Sequence, residues 1–151
     1  MAQRREIHDR FFKQAKADGY AARSAYKLIE INNKKSILRR GDRVVDLGCA
    51  PGSWVQVAAE KVGDRGLVVG IDLKPVAITL PPNARTIVAD VFNVTADDLF
   101  ALATTTPNDT LRFDVVLSDM APSTEGGGGG TTDHFRSIEL CRRVLDLLPR
   151  L

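Results

Sequence analysis

Cysteine is nearly absent. Cys49 and Cys141 are the only two, too few for a disulfide framework, and they point to a reducing compartment. Long apolar runs are missing as well. None approaches the roughly 20 residues that span a bilayer, so a membrane protein is set aside. No apolar stretch follows the charged start MAQRREIHDR, so it is not read as a secretory signal and a cytoplasmic location is expected. Internal repeats are absent. The one low-complexity stretch is the five-glycine run at 126–130, too short for a domain linker and expected to be a mobile loop. What is present is an ordinary globular composition of 151 residues, 44% apolar and 26% charged. That is enough for one domain with its own core.

The net charge of +2 conceals an asymmetry. Residues 1–43 hold twelve Lys and Arg against five Asp and Glu, whereas residues 44–151 hold nine against fourteen. The first part therefore carries +7 and the rest −5. A basic arm ahead of an acidic body suits a polyanion, most often nucleic acid. The plainer alternative is a pair of solvated basic helices.

Periodicity predicts a helix over 6–17, stopped by Asp18-Gly19, and a second over 22–31. Four short apolar strands are predicted at 43–48, 66–72, 86–90 and 112–119. Between and after them, helices are predicted at 54–62 with Ser53 as N-cap, at 96–103 with Thr95 as cap, and at 133–148. The last of these carries Ile138, Cys141, Val144, Leu145 and Leu148 as its apolar face. Continuous apolar strands alternating with helices imply an α/β fold, a mostly parallel doubly wound sheet of Rossmann-like type. The expected organisation is a basic helical arm over 1–42 and a core over 43–151.

Chemistry gathers where the strands end. DLGCAPGSW, Asp46 to Trp54, joins the first strand to a helix. Gly48 and Gly52 allow a sharp turn and close approach of a ligand, and the helix start offers free N–H groups. Such a turn serves nicotinamide, flavin and S-adenosylmethionine ligands alike. A nicotinamide domain is disfavoured because the turn reads G-C-A-P-G-S-W rather than G-x-G-x-x-G. Asp46 is expected to orient the turn. Asp72 ends the second strand, where an acid can accept from both ribose hydroxyls, the alternative being a turn cap. Asp90 follows the third strand and reaches the same edge. Asp119 follows the fourth, in LSDMAPS, with Pro122 fixing a turn. Lys27, in RSAYKL, sits among apolar residues. Partial burial would lower its pKa and suit it to act as a base; the alternative is a lysine snorkelling at a helix edge. Tyr20 or Tyr26 could stack a base, core packing being the alternative. No metal site is expected.

Together, GYAARSAYKLIEI (19–31), VVDLGCAPGSWVQ (44–56), GIDLKP (70–75), AD (89–90) and LSDMAP (117–122) resemble the FtsJ-like ribosomal RNA 2′-O-ribose methyltransferases. The stretches come in family order over nearly all of residues 9–148. The resemblance implies a Rossmann-like methyltransferase fold, with S-adenosylmethionine as methyl donor and a ribose 2′-hydroxyl of RNA as acceptor. The acceptor it implies is a uridine of large-subunit ribosomal RNA, methylated by a monomer, with transfer RNA as the alternative. Gly48, Pro51, Gly52, Trp54, Asp72, Asp90 and Asp119 are the positions it implies for the cofactor. Of a Lys-Asp-Lys-Glu tetrad tied to catalysis, Lys27 matches the first lysine and Asp119 the aspartate. The other two belong to strands beyond the last helix, so the chain is expected to be truncated at its C-terminus. A catalytically incomplete cofactor- or RNA-binding module is the alternative. Arg23, Lys27, Lys34 and Lys35 are the expected RNA contacts. Ser123 stands where the family commonly has asparagine.

Overall fold

The computed structural model describes residues 11–104, 112–121 and 131–151, with side chains from residue 134 in the last stretch. The predicted helix start at 6–10, Pro122, Ser123 and the glycine run lie outside the described residues. In chain order the elements are a helix over 11–17 (α1), α2 (Ala25–Lys35), β1 (Arg43–Leu47), α3 (Ser53–Val62) and β2 (Leu67–Asp72). Then come β3 (Ala84–Val88), α4 (Ala96–Ala103), β4 (Val115–Ser118), α5 (Thr131–Leu147) and a 3-10 turn, Leu148–Arg150.

The strands form one parallel sheet in the order β3-β2-β1-β4. Val44, Val45, Leu47, Val68, Val69 and Ile71 are buried because helices cover both faces. The pleat sends alternate residues to opposite sides. Val44, Val68 and Leu117 pack with Ala25 and Leu28 of α2 and with Val55, Ala58 and Val62 of α3. Val45, Leu47, Val69 and Ile71 pack with Leu99 of α4 and Leu147 of α5. The basic arm thus donates α2 to the same core as β1. The chain runs β1-β2-β3 to one edge and returns to place β4 on the other side of β1. The order reverses beside β1, where open α/β sheets hold ligands.

Several boundaries differ from expectation for local reasons. The helix predicted at 22–31 occupies Ala25–Lys35. Its start is delayed because Gln56 ties down the preceding turn, accepting the Ala21 N–H at 2.9 Å and donating to Gly19 O at 3.0 Å. It runs on through Asn32 until Ser36, at φ 50°, donates its N–H to Asn32 O. Ser53 is not the cap of α3. Gly52 holds that position at φ 115°, and Ser53 is the first helical residue.

On α5, Leu140, Val144 and Leu147 face the sheet. The expected face was wrong by part of a turn, since Cys141 is exposed and Leu145 and Leu148 are 63% and 41% exposed. The helix carries two apolar stripes. The guanidinium of Arg143, which donates to Val91 O at 2.8 Å and Val94 O at 2.6 Å, helps fix which one turns inward.

At α4 the predicted cap is present. Thr95 Oγ1 accepts the Asp98 N–H at 3.2 Å while Asp98 Oδ2 accepts the Thr95 N–H at 2.8 Å. Thr95→Ala is expected to cost about 1 kcal/mol, read as a lower denaturant midpoint at unchanged slope. No helix of the described residues is long and apolar enough to cross a membrane.

Candidate active site

Parallel strands bring their C-terminal ends to one edge, so acids far apart in sequence meet there. Asp72 ends β2, Asp90 lies two residues past β3, and Asp119 follows β4. A cavity of about 710 Å³ opens at this edge, lined by Gly48, Asp72, Asp90 and Asp119 among others. Its size falls in the range of small-ligand sites.

The floor is the turn after β1. The Gly48 and Cys49 N–H groups both donate to Ile71 O, at 2.8 and 3.0 Å, and the Ala50 N–H donates to Asp72 Oδ2 at 2.9 Å. Asp72 Oδ1 accepts the Lys74 N–H at 2.9 Å. Asp72 therefore fulfils the turn-cap alternative and lines the cavity as well. An ionised carboxylate has about four acceptor sites, so two backbone bonds leave capacity for a ligand. Asp90 Oδ1 likewise accepts the Phe92 N–H at 2.9 Å. Gly48 adopts φ +89°, and a Cβ there would lie 2.3 Å from Met120 Cγ.

Asp46 does not line the cavity. It is 1% exposed, and its Oδ2 has no hydrogen-bond partner. Burial, reinforced by the charges of Asp72 and Asp119, pushes its carboxyl up to about 7. Burial and the charges of Asp46 and Asp72 also push the Cys49 thiol up to about 12, which leaves it unreactive.

Lys27 does not line the cavity itself, but its ammonium donates to Oδ1 of Asp119, which does, and this marks the mouth. Their side chains are 56% and 39% exposed. Lys27 is thus exposed rather than partly buried. What positions the ammonium is Trp54, whose ring centroid lies 5.8 Å from Lys27 Nζ. The Trp54 indole N–H donates to Ser24 O at 2.8 Å, and the Ser24 and Ser53 hydroxyls share a 2.8 Å hydrogen bond. These contacts dock the start of α2 on the start of α3.

Other expected residues fall outside the cavity lining. Pro51 O accepts the Ala77 N–H at 2.9 Å. Gly52 packs where a Cβ would come 2.8 Å from Ile78 Cδ1. Trp54 is buried, 8% exposed. Arg23 is exposed just before α2. Lys34 and Lys35 lie at the far end of α2, about 10–12 Å along its axis from Lys27, and Lys34 pairs with Glu30 at 2.6 Å. Tyr20 and Tyr26 pack edge to face at 6.0 Å, and the Tyr26 hydroxyl donates to Asp18. That is the packing alternative.

Sequence reasoning missed Leu73, Phe92 and Met120, and the Arg136–Glu139 pair of positions on α5, all of which line the cavity. Leu73 and Phe92 are 61% and 47% exposed. The available signal was their spacing, one and two residues after a strand-end acid. Among the described residues, no group of three or more His, Cys, Asp or Glu is placed to hold a metal ion.

This arrangement has counterparts in known proteins. The model of the FtsJ-like methyltransferase family matches residues 20–151. The chain is 43% identical, over 94% of its length, to ribosomal RNA large subunit methyltransferase E of Bdellovibrio bacteriovorus, and covers 69% of that protein. It is 46% identical, over 95% of its length, to the protein of the same name from Desulfosudis oleivorans, and covers 65% of it. A solved ribosomal RNA methyltransferase of Plasmodium falciparum superposes with a TM-score of 0.66 at 31% identity, over 83% of this chain and 69% of that one. The chain thus spans about two thirds of the relatives it matches.

Proposed function

Because the chain belongs to the FtsJ-like methyltransferase family, we propose that it forms the cofactor cavity and acceptor mouth of an RNA methyltransferase. The donor is S-adenosylmethionine. The acceptor is a ribose 2′-hydroxyl, that of a uridine in large-subunit ribosomal RNA. The observation that carries this reading is the meeting of Lys27 and Asp119, 92 residues apart, at the mouth of a cavity walled by Asp72 and Asp90.

The residues present fit the cofactor. Asp72 and Asp90 end neighbouring strands and keep acceptor capacity for ribose hydroxyls and a purine amino group. Exposed Leu73 and Phe92 offer apolar faces beside them. The bare Cα of Gly48 leaves room that a side chain would fill. The buried Asp46 Oδ2, which has no hydrogen-bond partner, adds negative charge beside a site suited to a cation. When bound, S-adenosylmethionine supplies a methyl group already activated on a sulfonium.

The protein's share is then orientation and electrostatics. Lys27 presents N–H donors at the mouth, where they can hold the 2′-oxygen and stabilise negative charge developing on it. Asp119 fixes that ammonium and carries the negative charge at the junction of cavity and mouth. Their exposure suits a macromolecular acceptor that arrives from solvent. Arg23 just before α2 and Lys34 and Lys35 at its far end supply phosphate contacts, a salt-sensitive term.

Lys27→Ala is expected to change stability by less than about 1 kcal/mol, because the ion pair is exposed. Methyl transfer by the whole protein falls at least about 100-fold, while cofactor affinity stays within about threefold. Equal losses in both, or unchanged transfer, would contradict the assignment. The reaction itself is tested by incubating the whole protein with large-subunit ribosomal RNA and methyl-labelled S-adenosylmethionine, then digesting to nucleosides. Label in 2′-O-methyluridine is the expected result. Label on a base contradicts it, and label confined to added transfer RNA moves the assignment to that substrate.

A further inference from the structure

Asp46 has no task in the site as described so far. Its Oδ2 is the one buried side-chain polar atom without a hydrogen-bond partner among the described residues. Such a group in a folded protein calls for a reason, because leaving it unpaired is costly. The sheet register sets it between Gly70 and Leu117, neither of which has a polar side chain to offer. The groups facing it are mostly of one sign. Asp72 comes from the end of β2, and Asp119 from the end of β4 with its partner Lys27 from α2. The Cys49 thiol comes from the same turn. Arg136 and Glu139 of α5 line the adjoining cavity as a pair of opposite signs.

A buried carboxyl beside two carboxylates cannot readily carry its own charge unless a cation joins the cluster. Of the cations nearby, Lys27 is paired with Asp119, and Arg136 lines the cavity together with Glu139. A positive ligand in the cavity would supply another. Resting on the cofactor reading above, we propose that Asp46 determines the charge specificity of the cavity. Its carboxyl is partly protonated while the cavity holds no cation, and it ionises fully when a sulfonium ligand enters. The site thereby prefers the sulfonium cofactor to its neutral thioether product.

Asp46 does not line the cavity, so it acts through the field across the Gly48 turn rather than by contact. Its proton passes to solvent as the cation arrives and returns once the sulfur is neutral, with no covalent change at Asp46. The preference is Coulombic: unit charges several Å apart at an intermediate dielectric are worth a tenfold or larger difference in affinity.

The test is calorimetric titration of the whole protein at pH 7 in buffers of differing ionisation enthalpy, with S-adenosylmethionine and with S-adenosylhomocysteine. Because the Asp46 carboxyl titrates at about 7, release of about half a proton per S-adenosylmethionine is expected. Release with S-adenosylhomocysteine is expected to be several-fold smaller. In Asp46→Asn the release disappears, and the preference for S-adenosylmethionine falls about tenfold. Equal release with both ligands, no release with either, or undiminished release in Asp46→Asn overturns the inference and leaves the cofactor reading standing. If neither ligand binds, the cofactor reading fails and takes the inference with it. Should Asp46→Asn not fold, the comparison of the two ligands on the unaltered protein decides alone.

Discussion

Asp72→Ala is expected to weaken S-adenosylmethionine binding by at least about 100-fold. The carboxylate does two things at once. It holds the ends of two loops, through the Ala50 N–H and the Lys74 N–H, and it faces the cavity with its remaining lone pairs. Each hydrogen bond to a charged group contributes about 1.5–3 kcal/mol, so loss of the ligand-facing pair alone accounts for the hundredfold. Release of the turn after β1 adds to it. The same substitution is expected to lower stability by only about 1–2 kcal/mol, because Asp72 is half-buried and the freed N–H groups can reach water. Asp72→Asn keeps one acceptor and should fall between. Calorimetry for affinity and thermal unfolding for stability separate the two effects. An unchanged affinity in a folded Asp72→Ala protein would remove Asp72 from the site.

Gly48→Ala is expected to cost about 2–5 kcal/mol and to close part of the cavity. Two terms combine. At φ +89° an L side chain is strained, at roughly 1–2 kcal/mol. The new Cβ would also lie 2.3 Å from Met120 Cγ; it must push that side chain aside, an overpacking cost of about 1–3 kcal/mol. Gly19→Ala separates the terms. Gly19 has φ +80° with nothing within 4 Å of the added Cβ, so only the backbone term of about 1–2 kcal/mol applies. If the two variants lose equal stability, the contact with Met120 has no weight.

The strands were legible because each is a short apolar run closed by a polar residue. Val44–Val45 and Val68–Val69 are buried from both sides, and no helix of this length would carry such runs between an arginine and an aspartate. Asp72, Asp90 and Asp119 were legible for the same reason: an acid at the end of an apolar strand in a parallel sheet has one edge to occupy. The Thr95 cap followed from local chemistry alone. What failed depended on packing. Two apolar stripes wind around α5, and only the position of the sheet and the Arg143 bonds to Val91 and Val94 select one. Ser53 looked like a cap, but Gly52 already makes the left-handed turn into α3 and Ser53 turns to Ser24. Lys27 looked half-buried from its apolar neighbours in sequence, yet its own face of α2 points over Trp54 into solvent. The isolation of Asp46 could not be read locally, because it depends on Asp72 and Asp119, which arrive from other strands.

The most direct measurement of the central claim is a pair of calorimetric titrations of the folded protein, with S-adenosylmethionine and with NADH. Saturable one-to-one binding of S-adenosylmethionine, and none of NADH, is the predicted result. Saturable NADH binding, or no S-adenosylmethionine binding by protein with a cooperative unfolding transition, would contradict it.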